Sequence, residues 1–582
     1  MSAIENLRNR IDLVNIPFTD RGSRLLLFRR GDTLSIRLAE RWEKWQGQVG
    51  HYRQRPPMID AWQFLAEDGT PLAITETETF PHLAGISTAA GRFDWIFIDP
   101  ETLLLRLPAG RYGLQFVTYT EQGIPDRRGG TLRGKRNIAY TTNAHLLHNQ
   151  LQRLVDDKFQ VNLMIEAKPG DVLLLNVTPR MGYNRSLPNA NVAVNEARTR
   201  WQMWFDAAPR VLEQYRAQYE YAWWVMRAGL LNTRYYFTRE ACVPSKIHYV
   251  GVWHWDQFFH ALAYRHLDTR LAEDQLRIVL DHQREDGMLP DAIHDEGLVT
   301  HLKLPVDADV TKPPLAAWTA LKLYEKSGHL DFLEEIYDSL IRWHDWWMTH
   351  NRNGNQLCEY KHPFSSGLDD SPLWDEGMPV VAPDLNTYLC LQCESLAKIA
   401  ELIGLPEDAA KFYAEAGQMS DAMLKTLWNE EHGCFEALHN GQIVDVFTPF
   451  HLLPIWTGHM PDHVVNRVLE HLTNPAEFWT PYLLPTVALT DPKFDPAQMW
   501  RGPTWVNINY LFIEALQRVG RQDLARELRT KTLNLLMQHP DIYEYYNPVT
   551  AEHPPKAAPI FGWSCAVFID LAIQATQDTP QP

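Results

Sequence analysis

The connections between helical segments are the feature of this chain that most restricts its fold. From Val211 onward, apolar residues recur at a helical period in about twelve segments. The segments are expected to begin near Val211, His254, Thr269, Pro313, Leu330, Asp384, Glu407, Phe447, His463, Thr504, Gln522 and Trp563. Short links such as HLDT, KSGHLD, GLPED, TGHMP and GRQD alternate with long connections, at roughly 233–253, 285–312, 351–383, 429–446, 475–503 and 539–562.

This alternation predicts where the connections lie in space. A short link makes the two helices it joins antiparallel neighbours, so if every second connection is long, all the long ones emerge at the same end. Twelve helices then form six hairpins, the pattern of an (α/α)6 barrel with tight turns at one end and functional loops at the other. The eighth segment, near Phe447, has the weakest helical pattern because Pro449 and Pro454 interrupt it.

The part of the chain before the helical segments has the pattern of β-strands. Stretches such as RLLLFRRGDTLSIRLAER and WIFIDPETLLLRLPAGRYGLQFVTY mix alternating and continuous apolar runs, broken by Gly, Pro and Asp turns. An antiparallel β-sandwich is the expected result. The predicted protein is therefore mainly α, with an N-terminal antiparallel β-sandwich domain at residues 1–205 and an (α/α)6 barrel domain at residues 206–582.

Composition and charge exclude several classes of protein. The 582 residues can bury large cores without disulfides, and the six dispersed cysteines are expected to be buried free thiols. A net charge of -17 repels polyanions, so no nucleic-acid partner is expected. No unbroken apolar run reaches the roughly 18 residues of a membrane-spanning helix, and the polar start MSAIENLRNRIDL lacks the apolar core of a secretory signal. We therefore expect a cytoplasmic protein without a membrane partner.

Two of the long connections carry carboxylates beside aromatic residues. SSGLDDSPLWDEG contains Asp369 and Asp370 close to Trp374, and DIYEYYNPVTAEHPP places Glu544 between two tyrosines. Hydrolysis of a glycosidic bond needs two carboxylates, one kept protonated and one ionised. An aromatic lining raises the pKa of the acid and also stacks on a sugar ring. Paired Asp after Gly is also common in turns, and Glu544 also fits a solvated loop, so spacing alone leaves both interpretations open.

Two further segments combine aromatic and polar groups near predicted helix starts. GVWHWDQFFHALAYRH puts Trp255 and Phe259 on one helical face, a pattern typical of core, and puts Asp256 where it could bind sugar hydroxyls. MWRGPTWVNINY contains Arg501, which fits either a structural ion pair or a contact to the acid and substrate hydroxyls. The histidines show no HExxH or comparable spacing, so neither a catalytic metal nor a cofactor is expected.

Taken together, nine stretches resemble family 63 of the glycoside hydrolases, within the inverting (α/α)6 glycosidases that include trehalases. In chain order they are WHWDQFFHALAYRH, DGMLPDAI, TKPPLAAW, SGLDDSPLWD, PDLNTYL, FWTPYLLPTVALTDPKFDP, MWRGPTWVNINY, EYYNPVTAE and FGWSCAVFIDLA. They cover most of residues 250–575. One stretch alone would be weak, but nine in the same order are specific.

The resemblance implies roles for individual residues. Asp369, the first Asp of SGLDDSP, would be the general acid, and Glu544 of YEYYNP the general base that activates water. The expected substrate-binding residues are Trp253, Trp255, Asp256, Phe259, Lys312, Gly367, Asp370, Trp374, Trp500, Arg501, Trp505 and Trp563. Such enzymes often carry Gln where this chain has Lys312. The difference would alter a sugar or acid contact or favour a carboxylate-bearing substrate, but a solvated lysine is the favoured interpretation. Glu552 is a second carboxylate in the Glu544 loop.

The implied activity is hydrolysis of a small α-glucoside with inversion. Candidate substrates are a 1,2-linked glucoside such as kojibiose and a glucosyl or mannosyl glycerate. A glycoside phosphorylase of (α/α)6 type, in which phosphate replaces water, and a non-catalytic carbohydrate-binding protein are the alternatives. A small carbohydrate is the expected partner, and the sequence does not determine the oligomeric state.

Overall fold

The computed structural model describes residues 2–41 and 56–578, which fall into two compact units. The first unit comprises Met1–Ala208, Arg227–Asn232 and Lys246–Val250, and the second comprises Pro209–Met226, Thr233–Ser245 and Gly251–Pro582. Among the helices of the described ranges, none has both the length and the apolar character that crossing a membrane requires.

Two antiparallel sheets dominate the first unit. One contains six strands, in the order Leu25–Arg30 (β1), Thr33–Leu38 (β2), Ile59–Leu65 (β3), Gly110–Tyr119 (β8), Lys158–Ala167 (β13) and His145–Leu154 (β12). The other contains eight, in the order Glu76–Phe80 (β4), Leu83–Thr88 (β5), Gly91–Asp99 (β6), Thr102–Arg106 (β7), Val172–Thr178 (β14), Asn137–Thr142 (β11), Gly129–Arg133 (β10) and Gln122–Asp126 (β9).

Aromatic side chains from the two sheets meet in a shared core. Trp62 of β3 contacts Trp95 of β6 edge-on at 4.9 Å between ring centroids, and Phe64 contacts Phe93 at 4.3 Å. Along β13, buried and half-buried residues alternate strictly, as expected for a strand with one face on a core. The alternation of apolar and polar residues in the sequence therefore reflects strands that turn one face to the core between the two sheets.

A helix inside the strand-rich region corrects the sequence expectation. Residues Ala190–Ala207 form a helix (α2), which follows the short helix Ala3–Asn6 (α1) along the chain. Ala193 and Ala197 of α2 pack with Ile96 and Leu174 of the eight-stranded sheet. That sheet is therefore covered on both faces, which explains why β14 is buried at every position and begins with four consecutive apolar residues.

The second unit is built from helices joined by irregular connections. Its helices are Glu213–Ala228 (α3), His254–Tyr264 (α4), Thr269–Leu280 (α5), Ala316–Ser327 (α6), Leu330–His350 (α7), Pro383–Leu402 (α8), Pro406–Thr426 (α9), Asp462–Leu472 (α10), Val506–Arg518 (α11), Gln522–Leu536 (α12) and Gly562–Gln577 (α13). Each begins within a few residues of a predicted start, so these predictions are confirmed. The eighth segment, Pro449–Thr457, is a 3₁₀ helix because Pro454 removes an N–H from its interior.

Short strands lie within the connections. They span Leu230–Leu231 (β15), Ala241–Cys242 (β16), Val252–Trp253 (β17), Ala292–His294 (β18), Gly297–Val299 (β19), His301–Leu302 (β20), Ala308–Asp309 (β21), Val380–Val381 (β22), Trp428–Asn429 (β23), Cys434–Phe435 (β24), Leu438–His439 (β25) and Gln442–Ile443 (β26). All six cysteines are free and buried, as expected from their dispersed positions.

Six helical segments, which we call the helical ring, contact one another in a closed sequence. The contacts run from α4 to α6, α8, the 3₁₀ helix Pro449–Thr457, α11, α13 and back to α4. Five ring segments also contact the next helix along the chain, which is α5, α7, α9, α10 or α12. Burial separates the two sets: α8 is buried continuously from Pro383 to Ala397, whereas α9 buries a stripe that includes Phe412, Ala416 and Met423.

The long connections lead into the N-termini of the ring segments. Asp369 lies in the connection before α8, Arg501 in the one before α11 and Glu544 in the one before α13. Lys312 lies just before α6, and Asp256 lies in the first turn of α4. The residues with candidate chemistry therefore lie at one kind of position, the entrance to a ring segment.

Candidate active site

The backbone before Asp369 contacts two indole rings. A short 3₁₀ helix ends at Gly367 with a φ of 74°, and a Cβ atom there would come within 2.4 Å of the Trp255 ring. Glycine satisfies both conditions because it lacks Cβ and tolerates positive φ. At the next residue, Trp374 donates its indole N–H to the carbonyl oxygen of Leu368 at 2.7 Å. These contacts fix the direction in which the Asp369 side chain leaves the loop.

Asp369 combines access with a raised pKa. Its side chain is 41% exposed, and its Oδ1 lies 3.7 Å from the Nζ atom of Lys312. Desolvation by the surrounding protein raises the pKa of Asp369 to about 6, with Lys312 opposing the shift and Asp291 and Asp370 adding to it. A carboxyl group of this kind retains a proton close to neutral pH and can still be reached by a substrate.

Lys312 is a buried cation between acidic groups, so the sequence-based expectation of a solvated lysine is wrong. Its side chain is 4% exposed, its Nζ lies 2.8 Å from Oδ1 of Asp291, and it donates to the carbonyl oxygen of Phe364 at 2.6 Å. Burial opposes the charge, but Asp291 and Asp369 more than offset it, so the pKa of Lys312 is raised. The ammonium group is therefore held in its charged form inside the site.

Asp256 and Glu544 are both buried and influence each other electrostatically. Burial raises the pKa of Asp256 well above its usual range, Lys312 opposes this, and the charge of Glu544 adds to it. Glu544 is anchored by a pair of hydrogen bonds: its N–H donates to the Ala558 carbonyl at 2.9 Å, and the Ala558 N–H donates to Oε2 of Glu544 at 3.1 Å. Asp256 is therefore close enough to both Lys312 and Glu544 for their charges to change its pKa.

Four tryptophans form a closed aromatic cluster, which we call the indole cluster. Trp500 and Trp505 stack face to face at 3.8 Å between centroids. Trp563 contacts Trp505 at 5.4 Å and Trp255 at 5.1 Å, and Trp255 contacts Trp500 at 6.2 Å. All four rings are buried. The cluster joins α4, α13 and the entrance to α11 into one apolar wall.

The indole cluster touches both loops that carry the candidate acid and base. Trp255 lies against Gly367, two residues before Asp369. Tyr545, which follows Glu544 in the chain, lies 4.9 Å from Trp505. Burial raises the pKa of Tyr545, and the charges of both Glu544 and Asp370 add to the shift. The two loops, distant in sequence, therefore act on the same tyrosine.

Arg501 forms an ion pair rather than presenting a free guanidinium. Its two terminal nitrogens donate to the two oxygens of Asp375 at 2.8 and 2.7 Å, and one also donates to the carbonyl oxygen of Asp370 at 3.2 Å. The carboxylate of Asp370 in turn accepts from the N–H of Trp500 at 2.7 Å. Of the two interpretations that the sequence left open for Arg501, the described contacts favour the ion pair, which joins the Asp369 loop to the loop before α11.

Two further residues predicted to bind substrate contact neighbouring aromatic side chains. Phe259 is fully buried and packs on Trp563 at 5.9 Å, so it backs the indole cluster from inside α4. Trp253 pairs with Ala292 in a small sheet and meets the His294 ring edge-on at 5.4 Å. Their substrate-binding role stays a prediction.

Sequence reasoning missed two groups that the structure brings to the site. Asp291 is the direct partner of Lys312, and Tyr545 joins the carboxylate loops to the indole cluster. Asp291 lies within DGMLPDAI, one of the stretches that carry the family resemblance, so its motif was visible but its role was not. A role that depends on a partner 21 positions away along the chain requires the fold.

Among the described residues, one group of side chains has the spacing of metal ligands, and it lies elsewhere. His344, Cys393 and Glu415 offer ligand atoms within 4.8 Å of one another, on α7, α8 and α9. Burial raises the pKa of the Cys393 thiol well above its usual range, which keeps it protonated and a poor ligand. The side chain of His344 instead forms a 3.5 Å contact with Glu415.

Comparison with known proteins identifies relatives for the helical part of the chain. The model of the mannosylglycerate hydrolase MGH1-like glycoside hydrolase domain matches residues 249–564. Mannosylglycerate hydrolase of Thermus thermophilus is 27% identical over 415 residues, which is 58% of this chain and 97% of the relative. Glucosylglycerate hydrolase of Mycolicibacterium hassiacum is 22% identical over 413 residues, covering 55% of this chain and 92% of the relative.

Solved structures resemble the fold over different lengths. A crystal structure of a family 63 mannosylglycerate hydrolase from Thermus thermophilus in complex with glucose aligns with a TM-score of 0.52 and 23% identity, over 60% of this chain and 98% of that one. A bacterial glucoamylase complexed with acarbose aligns with a TM-score of 0.59 and 12% identity, over 96% of this chain and 92% of that one. The second likeness extends through the sheet-rich first unit.

Proposed function

This chain belongs to the mannosylglycerate hydrolase MGH1-like glycoside hydrolases of family 63, and from that premise we propose that it is an inverting α-glycosidase with Asp369 as general acid and Glu544 as general base. As a glycoside hydrolase it cleaves a bond between a sugar and its leaving group. The proposal concerns which residues do this, with what stereochemistry and on which substrate.

We infer that the helical ring and its outer partners form an (α/α)6 barrel. The closed sequence of contacts among the ring segments supports this, as do the short links to the outer helices and the likeness to glucoamylase. Residues 206–582 would be the catalytic domain and residues 1–205 an N-terminal β-sandwich domain. In such a barrel the entrances to the ring segments share one end, which places all the candidate residues around one opening.

In the proposed reaction Asp369 donates its proton to the glycosidic oxygen as the bond to the anomeric carbon breaks. Glu544 takes a proton from a water molecule that attacks this carbon from the opposite face of the ring. The product sugar therefore has the inverted configuration. The proposal requires about 6.5 to 9.5 Å between the two carboxyl groups, because a water molecule must fit between the base and the sugar.

One observation carries the assignment of the acid. The pKa of Asp369 is raised to about 6 although 41% of its side chain remains exposed. A proton donor needs both properties, because it must hold a proton at the working pH and reach the leaving oxygen. Asp256 also has a raised pKa, but its side chain is buried in the first turn of α4, so Asp369 is better placed to donate.

The substrate we propose is a small α-hexoside, either a 1,2-linked glucoside such as kojibiose or a glucosyl or mannosyl glycerate. The names of the relatives support glycerate glycosides, which two of them hydrolyse according to those names. The test is a panel of disaccharides and glycosyl glycerates, assayed for released monosaccharide. If turnover depends on added phosphate and yields a sugar phosphate, the protein is a phosphorylase and the proposal fails.

Stereochemistry is tested by following a digest with proton NMR. An α-glucoside should release the β anomer first, with the α anomer growing in only as the product mutarotates. If the α anomer appears first, the configuration is retained and the two proposed roles are wrong.

Glu544 can be tested against a carboxylate from its own loop. Glu544→Gln should lower turnover by about 10²- to 10⁴-fold, which is what a positioned base contributes. The exposed Glu552 is the matched control, and Glu552→Gln should leave turnover near the wild-type rate. If Glu552→Gln has the large effect and Glu544→Gln does not, Glu544 is not the base.

A further inference from the structure

The ammonium group of Lys312 contacts three oxygen atoms. Its Nζ lies 2.8 Å from Asp291, 2.6 Å from the Phe364 carbonyl and 3.7 Å from Asp369. The Phe364 carbonyl accepts a hydrogen bond from this ammonium group, and the contacts to the two carboxylates are ion pairs. With 4% of the side chain exposed, little of it is accessible to a substrate.

The backbone around Lys312 and Asp291 is tied in place. The N–H of Thr311, the residue before Lys312, donates to the hydroxyl of Ser365 at 3.2 Å. The Asp291 N–H donates to the Val299 carbonyl at 2.8 Å, and the Asp291 carbonyl accepts from the His254 N–H at 3.2 Å. The ammonium group therefore sits between a fixed carboxylate, Asp291, and the exposed one, Asp369.

We infer that Lys312 is a positioning residue that orients Asp369 and sets the pH range over which Asp369 donates a proton. Asp291 weakens this effect because it pairs with the same ammonium group. This inference rests on the proposed role of Asp369 as the acid. It also replaces the sequence-based expectation that Lys312 contacts substrate.

The charges around this group come from several elements. The titratable and charged groups that act on Lys312 or Asp369 are Asp291 from the entrance to β18, Asp256 and His254 from α4, and Asp370 and His362 from the Asp369 loop. Glu544 acts on Asp256, and Arg501 and Lys556 act on Asp370. Lys312 is the cation that contacts Asp369 directly in the described part of the chain.

Two substitutions should move the alkaline limb of the kcat/KM pH profile in opposite directions. Lys312→Met removes the cation that favours ionised Asp369, so the proton is held to higher pH and the limb moves up by about one pH unit. Asp291→Asn removes a neighbouring negative charge and frees the ammonium group to pair with Asp369. Both changes favour ionised Asp369, so the limb moves to lower pH. A residue that only supports the fold would lower activity without these opposite shifts.

The controls preserve the charge or place it elsewhere. Lys312→Arg should keep the limb close to the wild-type position, because the cation is retained. Lys303→Met removes an exposed lysine from the same connection and should leave the profile unchanged. If Lys312→Met does not fold, the pair Lys312→Met with Asp291→Asn removes both charges of the buried pair, which proteins tolerate better than the loss of one partner.

A glycosyl fluoride separates this inference from the proposed function, because fluoride leaves without a proton. Asp369→Asn should abolish glycoside hydrolysis and retain fluoride hydrolysis; if both are lost equally or both persist, the proposed function fails. If Asp369→Asn behaves as expected but the limbs of Lys312→Met and Asp291→Asn do not move apart, the inference about Lys312 alone is overturned.

The same variants test for a direct substrate contact. If Lys312 bound a substrate carboxylate, Lys312→Met would raise KM for a glycosyl glycerate and leave KM for an uncharged disaccharide unchanged. We expect KM to change by the same factor for both. A selective rise of about tenfold or more for the glycerate, the loss of roughly one charged hydrogen bond, would restore the role of Lys312 in substrate binding.

Discussion

The rings of Trp500 and Trp505 lie face to face, with their centroids 3.8 Å apart and their planes within 5° of parallel. Both rings are buried, and Trp505 donates its indole N–H to the carbonyl oxygen of Met499 at 2.7 Å. A stack of this kind makes the short segment before α11 rigid. That segment also carries Arg501, which ties it to the Asp369 loop.

Truncation of Trp505 should therefore damage both stability and catalysis. We expect Trp505→Ala to lower the free energy of unfolding by about 3 to 5 kcal/mol, the usual cost of removing a buried aromatic ring. Trp505→Phe keeps a ring in the stack and should cost less. Urea unfolding measures the first effect and kcat/KM the second. A Trp505→Ala protein within about 1 kcal/mol of wild type would contradict a supporting role for the stack.

Arg501 should matter more for activity than for stability. Its pair with Asp375 is partly solvent-exposed, at 26% and 38% of the two side chains, so its loss should cost less than about 1 kcal/mol of unfolding free energy. Lysine cannot reproduce the two parallel hydrogen bonds to Asp375 together with the bond to Asp370. Arg501→Lys and Asp375→Asn should therefore lower kcat/KM by similar factors at nearly unchanged Tm. Two very different factors would show that the pair does not act as a unit.

Asp369 should make stability depend on pH. Desolvation raises its pKa from the ordinary 3.8 to about 6, so the folded protein holds this proton more tightly than the unfolded chain. Its contribution to stability is fully present below about pH 3.8 and is lost as the pH rises through about 6. Asparagine cannot ionise, so Asp369→Asn does not lose stability as the pH rises. The Tm of Asp369→Asn should therefore exceed the wild-type Tm at about pH 7.5 and approach it near pH 4.

The matched control for this measurement is the exposed Asp421. Asp421→Asn should not change the Tm difference between the two pH values. If Asp369→Asn lowers Tm at the higher pH, the ionised carboxylate is stabilised in the folded protein, and the raised pKa is wrong.

Gly367 should tolerate no side chain. A Cβ atom there would lie 2.4 Å from the Trp255 ring, and its φ of 74° disfavours any other residue. We expect Gly367→Ala to lower Tm and to reduce turnover strongly, because the loop must move away from the indole cluster. Gly354, whose Cβ would meet nothing within 4 Å, is the control position in the same connection. Equal effects of the two substitutions would exclude a specific fit at Gly367.

Local patterns in the sequence were sufficient for most of the secondary structure. The helix starts near His254, Thr269 and Gln522 follow from the apolar period, which is a property of neighbours in the chain, and Asp268 also caps the helix that begins at Thr269. The helix Ala190–Ala207 escaped prediction, although its buried side combines three alanines in the first half with Trp201, Trp204 and Phe205 in the second. The alanine half is a weak apolar stripe, and only the fold shows the sheet on which it packs. For Pro449–Thr457, in contrast, the proline inside the segment was enough to predict that the α-helical pattern is interrupted.

Motifs in the sequence identified the residues proposed to carry the chemistry, including Asp369, Glu544 and the tryptophans near them. Only the tertiary structure determined the ionisation and the ion-pair partners of the charged residues in the candidate site. Arg501 became a partner of Asp375, and Lys312 became a buried partner of Asp291 and Asp369. The reason is physical: the pKa of a carboxyl group and the availability of a cation depend on desolvation and on charges a few ångströms away, and those neighbours come from chain segments that only the fold brings together.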